Sequence, residues 1–417
     1  MSPVPSRWAL RTLFLTVFID LMGFGIVVPI LAFVSKEYGA SGMTLGLILG
    51  SFSLMQFLFS PLWGRLSDRI GRRPVLMISL FGNVLGFSCF AFASNVAMLF
   101  ATRIISGIAS ASIPAAQAYI ADTADESSRA KEMGRISLAF GLGLVLGPPI
   151  GGFLSSFGAG LSLRPNMLPG IAAATLSATA LLMAIFALPE SLSATSGQHA
   201  SGHHAKGWSV LDNESWRILF RARPLRLAGT ALAILMCALA AISPILVLVG
   251  RDRYGLTARD VGYLMGLMGV VVISLQFGLL HRLTKKFGDA GTGLLGAALL
   301  VVGLLLVPIT TARAVLIAAA CLMGMAQGLC HPTLSAFISK VAPPEHRGGI
   351  LGVSSSMTAL ARVLGPALVG FAYDALRTTG AIAAELLVVL AGIVLLVRLL
   401  TTRLLTTPEG AAESHRP

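Results

Sequence analysis

The densest charge pattern in the chain is Gly64-Arg65-Leu66-Ser67-Asp68-Arg69-Ile70-Gly71-Arg72-Arg73-Pro74. Four arginines and one Asp share a short turn. Gly71 permits a positive φ angle, and Pro74 fits the first turn of a following helix. The cations suit an anionic lipid surface. Asp68 does not, and a carboxylate at the end of one helix can face the positive N-terminus of another. The plain alternative is a solvated topology signal, although the spacing is more specific than a charge run.

A second group is Arg103, in Arg103-Ile-Ile-Ser-Gly-Ile-Ala-Ser-Ala. An arginine inside an apolar segment is costly unless it faces protein or water. It is read either as pointing into a helix bundle or as snorkelling to the nearer surface. A third element is Gly141-Leu-Gly143-Leu-Val-Leu-Gly147-Pro148-Pro149-Ile-Gly151-Gly152. Gly143, Gly147 and Gly151 share one helix face, which lets a neighbouring helix approach closely. The paired prolines kink the helix. Alone, such a face means only packing.

Other polar residues in apolar stretches are Gln56, Asn83, Gln117, Gln276 and Gln327. Each either hydrogen-bonds a ligand or joins helices, where such bonds are worth roughly 0.6 kcal/mol. His331, beside Pro332, is a packed or cavity-lining histidine. His199, His203 and His204 read as part of a solvated linker rather than a metal site. Cys89, Cys237, Cys321 and Cys330 all sit in apolar stretches and suggest neither a disulfide framework nor zinc.

The elements that carry these groups must be membrane helices. Of 417 residues, 55% are hydrophobic and 12% charged, against about 25% charged in soluble domains. Gly is abundant at 45 residues, as in membrane helices. A span needs about 20 mostly apolar residues. Such runs lie near 11–34, 44–63, 74–93, 97–121, 133–155, 167–188, 226–249, 260–280, 291–309, 312–338, 348–373 and 380–400. The first has no cleavage element after it and is expected to be retained as helix 1. With a cytoplasmic N-terminus, 22 of the 31 Lys and Arg residues are cytoplasmic, seven are external, and Arg103 and Arg362 lie within spans. That asymmetry obeys the positive-inside rule and places both termini in the cytoplasm.

The polar stretch 189–224 divides the chain into 1–188 and 225–417. Its first part, rich in Ser, Gly and His, reads as a flexible cytoplasmic linker. The halves look related. Gly46 and Gly50 recur as Gly262 and Gly266, Gly71 recurs as Gly288, Pro114 as Pro332, and Gly147-Pro148 as Gly365-Pro366. The offsets are 216, 217, 218 and 218. The expected fold is an all-α membrane protein with twelve transmembrane helices in two pseudo-symmetric six-helix bundles. Parallel repeats of this kind describe one known transporter architecture.

Several classes are disfavoured. The net charge of +13 comes without basic stretches interleaved with stacking aromatics, so nucleic acid is not expected. No phosphate-cradling loop is present, which argues against ATP as the energy source. No His-Glu-x-x-His or Gly-x-Ser-x-Gly element suggests an enzyme. A sensor of this fold would bind ligand without moving it.

Together the 64–74 turn, Arg103 with Gly107, and the Gly147-Pro148-Pro149-Ile-Gly151-Gly152 element resemble the major facilitator superfamily. The last resembles its proton-coupled exporters rather than its importers. Span 1 (Phe18-Ile-Asp20-Leu-Met-Gly23-Phe-Gly25-Ile-Val-Val-Pro29), Ile120-Ala-Asp122-Thr and Gly365-Pro366 resemble the tetracycline-efflux branch of the drug:proton antiporters. The resemblance covers essentially the whole chain.

It implies a monomer in a bacterial inner membrane, exporting small amphipathic compounds against a proton gradient with no other cofactor. The alternative is a metabolite exporter or importer of the same fold. It implies that Asp68 engages the cytoplasmic start of span 11, near Gly348. Asp20 matches an acidic position of the tetracycline-type exporters, with either a proton or substrate role or a structural ion pair, Arg103 being a candidate partner. Arg362 either favours an anionic substrate or pairs with an acid such as Glu385. The chain departs from tetracycline exporters at Gly86 (an acid there), at Val272 (a His there) and in the apolar run 294–308, which lacks their span-9 acid. These departures separate the export class from tetracycline as the particular substrate.

Overall fold

The computed structural model describes residues 7–124, 126–191, 213–309 and 311–406. Among them there is no strand. The helices are α1 (Arg7–Glu37), α2 (Gly42–Ile70), α3 (Arg72–Phe92), α4 (Val96–Ile108), α5 (Ser112–Thr123), α6 (Glu126–Gly160) and α7 (Met167–Ala187). After the linker come α8 (Asn213–Arg221), α9 (Arg223–Tyr254), α10 (Ala258–Gly278), α11 (Leu280–Leu306), α12 (Arg313–Val341) and α13 (Arg347–Thr406).

Local chemistry sets several boundaries. Ser41 caps α2 by accepting from the Thr44 amide at 3.1 Å, and Asn95 caps α4 by accepting from the Met98 amide at 2.9 Å. Gly71 (φ 105°) ends α2 and Gly288 (φ 69°) kinks α11. Both conformations favour glycine, and the two sit at matching repeat positions.

Among the described residues, eleven helical segments are long and apolar enough to cross a membrane. The last holds two spans. At 60 residues α13 would be about 90 Å long if straight, against a hydrocarbon thickness of about 30 Å. It breaks at Leu376 and Arg377, where the helical dihedrals are lost. The expected span 97–121 is instead two helices, α4 and α5. Ser79 of α3 satisfies the backbone at the break: its hydroxyl donates to the Ala109 carbonyl and accepts from the Ala111 amide at 3.1 Å. A membrane helix tolerates a break where a neighbour supplies such partners.

Packing divides the chain into two compact units, Met1–His204 with Leu246–Gly269, and Ala205–Ile245 with Val270–Pro417. In the first, α1 packs on α6 and α7, α3 on α7 and on α4 and α5, and α2 on α4. Its core includes Leu13, Val17, Leu80 and Tyr119 at one end and Ile26, Ile30, Phe87 and Phe90 at the other. In the second, α11 packs on α12 and α13, and α13 also packs on α8. Large apolar side chains such as Phe186 (83% exposed) and Phe277 cover the outside. Lipid is the solvent that accommodates such a surface.

The stretch 189–224 is folded at both described ends. Pro189–Ser191 is tied to the first unit, and α8 belongs to the second, with Leu219 fully buried. His199, His203 and His204 lie outside the described residues.

Candidate functional site

Asp20 of α1 interrupts an apolar run and is enclosed, at 2% exposed. Its partners come from two other helices. Asn83 of α3 donates to Oδ1 and Oδ2 at 3.0 and 3.1 Å, and Ser177 of α7 donates to Oδ1 at 2.9 Å. Ser112 of α5 faces it as a third neutral group. Among the described residues no cation lies within ion-pair distance of it. The expected Asp20–Arg103 coupling is therefore not a contact of this conformation. Asn83 is spent on the carboxylate, not on a substrate.

Arg103 is also 2% exposed. It does not snorkel. Its guanidinium lies over the rings of Phe24 (5.9 Å) and Phe52 (5.4 Å), whose centroids are 5.1 Å apart. Its Nε and Nη2 atoms have no hydrogen-bond partner. Cation–π contact contributes about 2 kcal/mol when desolvated, less than full pairing would. Gly107, one turn on, explains the spacing. A Cβ there would sit 2.6 Å from the Phe52 carbonyl oxygen, so glycine admits α2 and brings Phe52 to Arg103.

The glycine face of α6 meets α1 backbone to backbone. A Cβ on Gly147 would fall 2.6 Å from Cα of Gly25, and one on Gly151 would fall 2.3 Å from the Ile26 carbonyl oxygen. A Cβ on Gly143 would fall 2.9 Å from the Leu21 backbone, next to Asp20. The opposite face of α6 packs on the first half of α10, within the same unit. There Pro148 meets Gly262, Pro149 meets Gly266, Val145 meets Gly269, and Gly152 meets Ala258 and Arg259. The second unit repeats the first contact: a Cβ on Gly365 of α13 would overlap the Cys237 carbonyl of α9, at 2.0 Å.

At the α2–α3 turn, Arg72 joins two helices. It pairs with Asp68 and, through Nε, with Asp122 at 2.7 Å, and it donates to the Ser67 hydroxyl at 3.2 Å. Asp68 itself is exposed, as are Gly64, Arg65 and Arg69. Arg73 donates to the Ala184 and Ile185 carbonyls at the end of α7. Glu190 accepts from the Arg72 and Arg73 amides at 3.0 and 3.2 Å and so caps α3. Sequence reasoning missed Glu190, although an acid just after a span is a usable capping signal.

The remaining candidates do not converge on Asp20. Gln117, with Pro114, is exposed on α5. In the second unit Gln276 (α10), Gln327 and His331 (α12) and Arg362 (α13) are exposed and make no hydrogen bond to another described residue. Charged side chains inside a span avoid lipid and face water-filled space. Arg362 interacts electrostatically with His331. It forms no ion pair with Glu385, which is 1% exposed elsewhere in α13. The expected Arg362–Glu385 pairing is thus absent among the described ion pairs.

The Major Facilitator Superfamily profile matches residues 13–312 and 279–417. The chain belongs to the Major Facilitator Superfamily. It is a multi-pass integral membrane transporter and not an enzyme. It is similar to tetracycline resistance protein, class C, of Escherichia coli, at 30% identity over 90% of this chain and 92% of that one. It is also similar to multidrug resistance protein 2 of Bacillus subtilis (strain 168), at 27% identity over 86% and 87%. Among solved structures, the human organic anion transporter MFSD10 (TETRAN) aligns with a TM-score of 0.66 at 24% identity, covering 94% of this chain and 99% of that one. The nucleoside transporter NupG aligns with a TM-score of 0.75 at 14% identity, covering 94% and 98%. These two likenesses show the shared superfamily fold.

Proposed function

We propose that this superfamily member exports small amphipathic compounds in exchange for protons, with Asp20 as a proton-binding carboxylate. The observation that carries the reading is the Asp20 site itself. A carboxylate enclosed in a bundle with three neutral partners and no cation is poised to change protonation when its surroundings change. Resemblance to tetracycline and multidrug resistance proteins supports the substrate class. The guanidinium of Arg103, enclosed against two aromatic rings in the same unit with Nε and Nη2 unpartnered, becomes available to an anionic part of the substrate only when the bundle opens around it.

In this reading the two halves expose a central site alternately. Proton entry supplies the drive: one charge crossing 100 mV carries about 2.3 kcal/mol. The distribution of Lys and Arg supports cytoplasmic termini, and the likeness to bacterial resistance proteins supports a bacterial inner membrane and a monomer as the working unit.

The test uses inverted vesicles energised to an acid interior, a pH-sensitive dye, and a panel of amphipathic drugs that includes a tetracycline. Drug-induced proton release by the wild type, lost in Asp20→Asn at matched expression, is the expected result. Release that survives in Asp20→Asn keeps the export class and moves the proton elsewhere. If no compound releases protons, drug exchange is wrong and metabolite transport is the better reading.

A further inference from the structure

Glu385 is a buried carboxylate of the second unit with no described ion-pair partner. It lies in the second limb of α13, about 12 Å of helix rise beyond the break at Arg377. That depth is well inside a hydrocarbon layer about 30 Å thick. The side chain is 1% exposed and its Oε1 has no hydrogen-bond partner. No described cation pairs with it. Facing it from α9 is Cys237, the one ionisable side chain seen to interact with it electrostatically. A thiol is a weak donor and cannot replace a counter-ion.

An ionised carboxylate with neither water nor a cation is expensive to bury. Asp20 at least has neutral donors around it; Glu385 has an orphaned oxygen. A purely structural residue at this place would be better served by an apolar side chain of similar size. The enclosure also limits what can bind. Nothing larger than a proton reaches a group this buried in the present conformation, so direct substrate contact is excluded here. The surrounding seam is tight. The Cys237 carbonyl lies against Gly365, and a Cβ on Gly392, two turns beyond Glu385, would meet Leu235 of α9 at 2.8 Å. The Gly365 contact belongs to the first limb of α13 and the Gly392 contact to the second, and between them Glu385 is closed off from solvent in this conformation.

We infer that Glu385 is a second proton-binding carboxylate of the exchange cycle, enclosed in the second unit as Asp20 is in the first but without its hydrogen-bond donors on Oε1. This rests on the proton-exchange reading above. With external access, the carboxylate takes a proton from water and forms the neutral acid. The seam closes around that acid. With cytoplasmic access, the O–H bond breaks, the proton passes to water, and the carboxylate is regenerated. Two carboxylates, one per unit, then carry two protons for each exported molecule.

The test begins with the proton alone. Infrared difference spectra of the reconstituted protein between acid and alkaline pH should show a protonated-carboxyl C=O band that shifts in D2O. The band should lose intensity in Glu385→Gln and return, displaced, in Glu385→Asp. The drug giving the largest proton release in the vesicle panel is then used to measure protons exchanged per drug. The expected result is a fall by half in Glu385→Gln. A band unchanged in Glu385→Gln overturns the assignment. A band lost with the exchange ratio unchanged also overturns it, because the proton is then static. If the wild type shows the Glu385 band but no drug releases protons, the exchange reading fails and the coupling role of Glu385 fails with it.

Discussion

Asp289 and Lys340 pair at 2.6 Å at the repeat positions of Arg72 and Asp122, with the charges exchanged. The offsets are 217 and 218 residues, the same as those of the glycines and prolines. Each half thus ties the start of its third span (α3, α11) to the end of its fourth (α5, α12) by an ion pair, but the polarity is reversed. In the first half Arg72 also holds Asp68 and the Ser67 hydroxyl. Lys340 has a single described carboxylate partner and is largely exposed.

That asymmetry predicts unequal costs. Lys340→Ala should change stability by no more than about 1 kcal/mol, as for other exposed pairs. Arg72→Ala strips two carboxylates of their partner and should cost about 2 kcal/mol, in the range for hydrogen bonds to charged groups. Thermal unfolding of the purified variants compares them directly. Equal losses would mean that the second carboxylate adds nothing to the Arg72 junction.

Glu190 and Gly71 should behave as one unit. Glu190→Ala removes the cap of α3 and should cost about 1 kcal/mol. Gly71→Ala forces a side chain into φ 105° and places its Cβ 2.5 Å from Glu190 Oε2, so the cap is displaced as well. The double variant should therefore be scarcely less stable than Gly71→Ala alone. Full additivity of the two losses would show the contacts to be independent.

Gly147 meets the Gly25 backbone in the α1–α6 seam, where a Cβ on it would fall 2.6 Å from Gly25 Cα. Gly147→Ala should overpack it, costing about 1–3 kcal/mol, and should reduce transport. Gly160→Ala, on the same helix with open space around it, should be neutral or slightly stabilising because alanine favours the helix. Transport rate and thermal midpoint, measured for both, separate a seam effect from a general effect of helix substitution. A Gly147→Ala protein with normal transport would remove the seam from the mechanism.

The spans and the glycine faces are legible because they are written in local periodicity and in repeat spacing, whereas the compact units depart from 1–188 and 225–417 by joining Leu246–Gly269 to the first. Asp20 stood out because one carboxylate interrupts an apolar run. Its partners did not: Asn83 and Ser177 are 63 and 157 residues away, and an amide or hydroxyl in a span has many equivalent fates. Arg103 faces protein, one of the two placements its sequence leaves open, and the aromatic neighbours that decide between them are tertiary. The break between α4 and α5 was illegible for a similar reason, since the Ser79 hydroxyl that satisfies it lies on another helix. Glu190 was absorbed into a polar linker because composition there masks a single capping contact.

The departure at Gly86 has a packing cause that can be tested. A Cβ on Gly86 would lie 2.3 Å from the Ser106 hydroxyl of α4, a group that is itself buried without a partner. An acidic side chain, which the resemblance implies at this position, does not fit here while Ser106 stays in place. Gly86→Asp alone should therefore destabilise by about 1–3 kcal/mol from overpacking, with a further penalty for a buried carboxyl. Ser106→Gly removes the clashing atom, so the double variant should recover the packing part of the loss. Thermal midpoints of the two single variants and the double variant decide it. If Gly86→Asp is as stable as the wild type, α3 and α4 yield at this contact, and packing does not explain the missing acid.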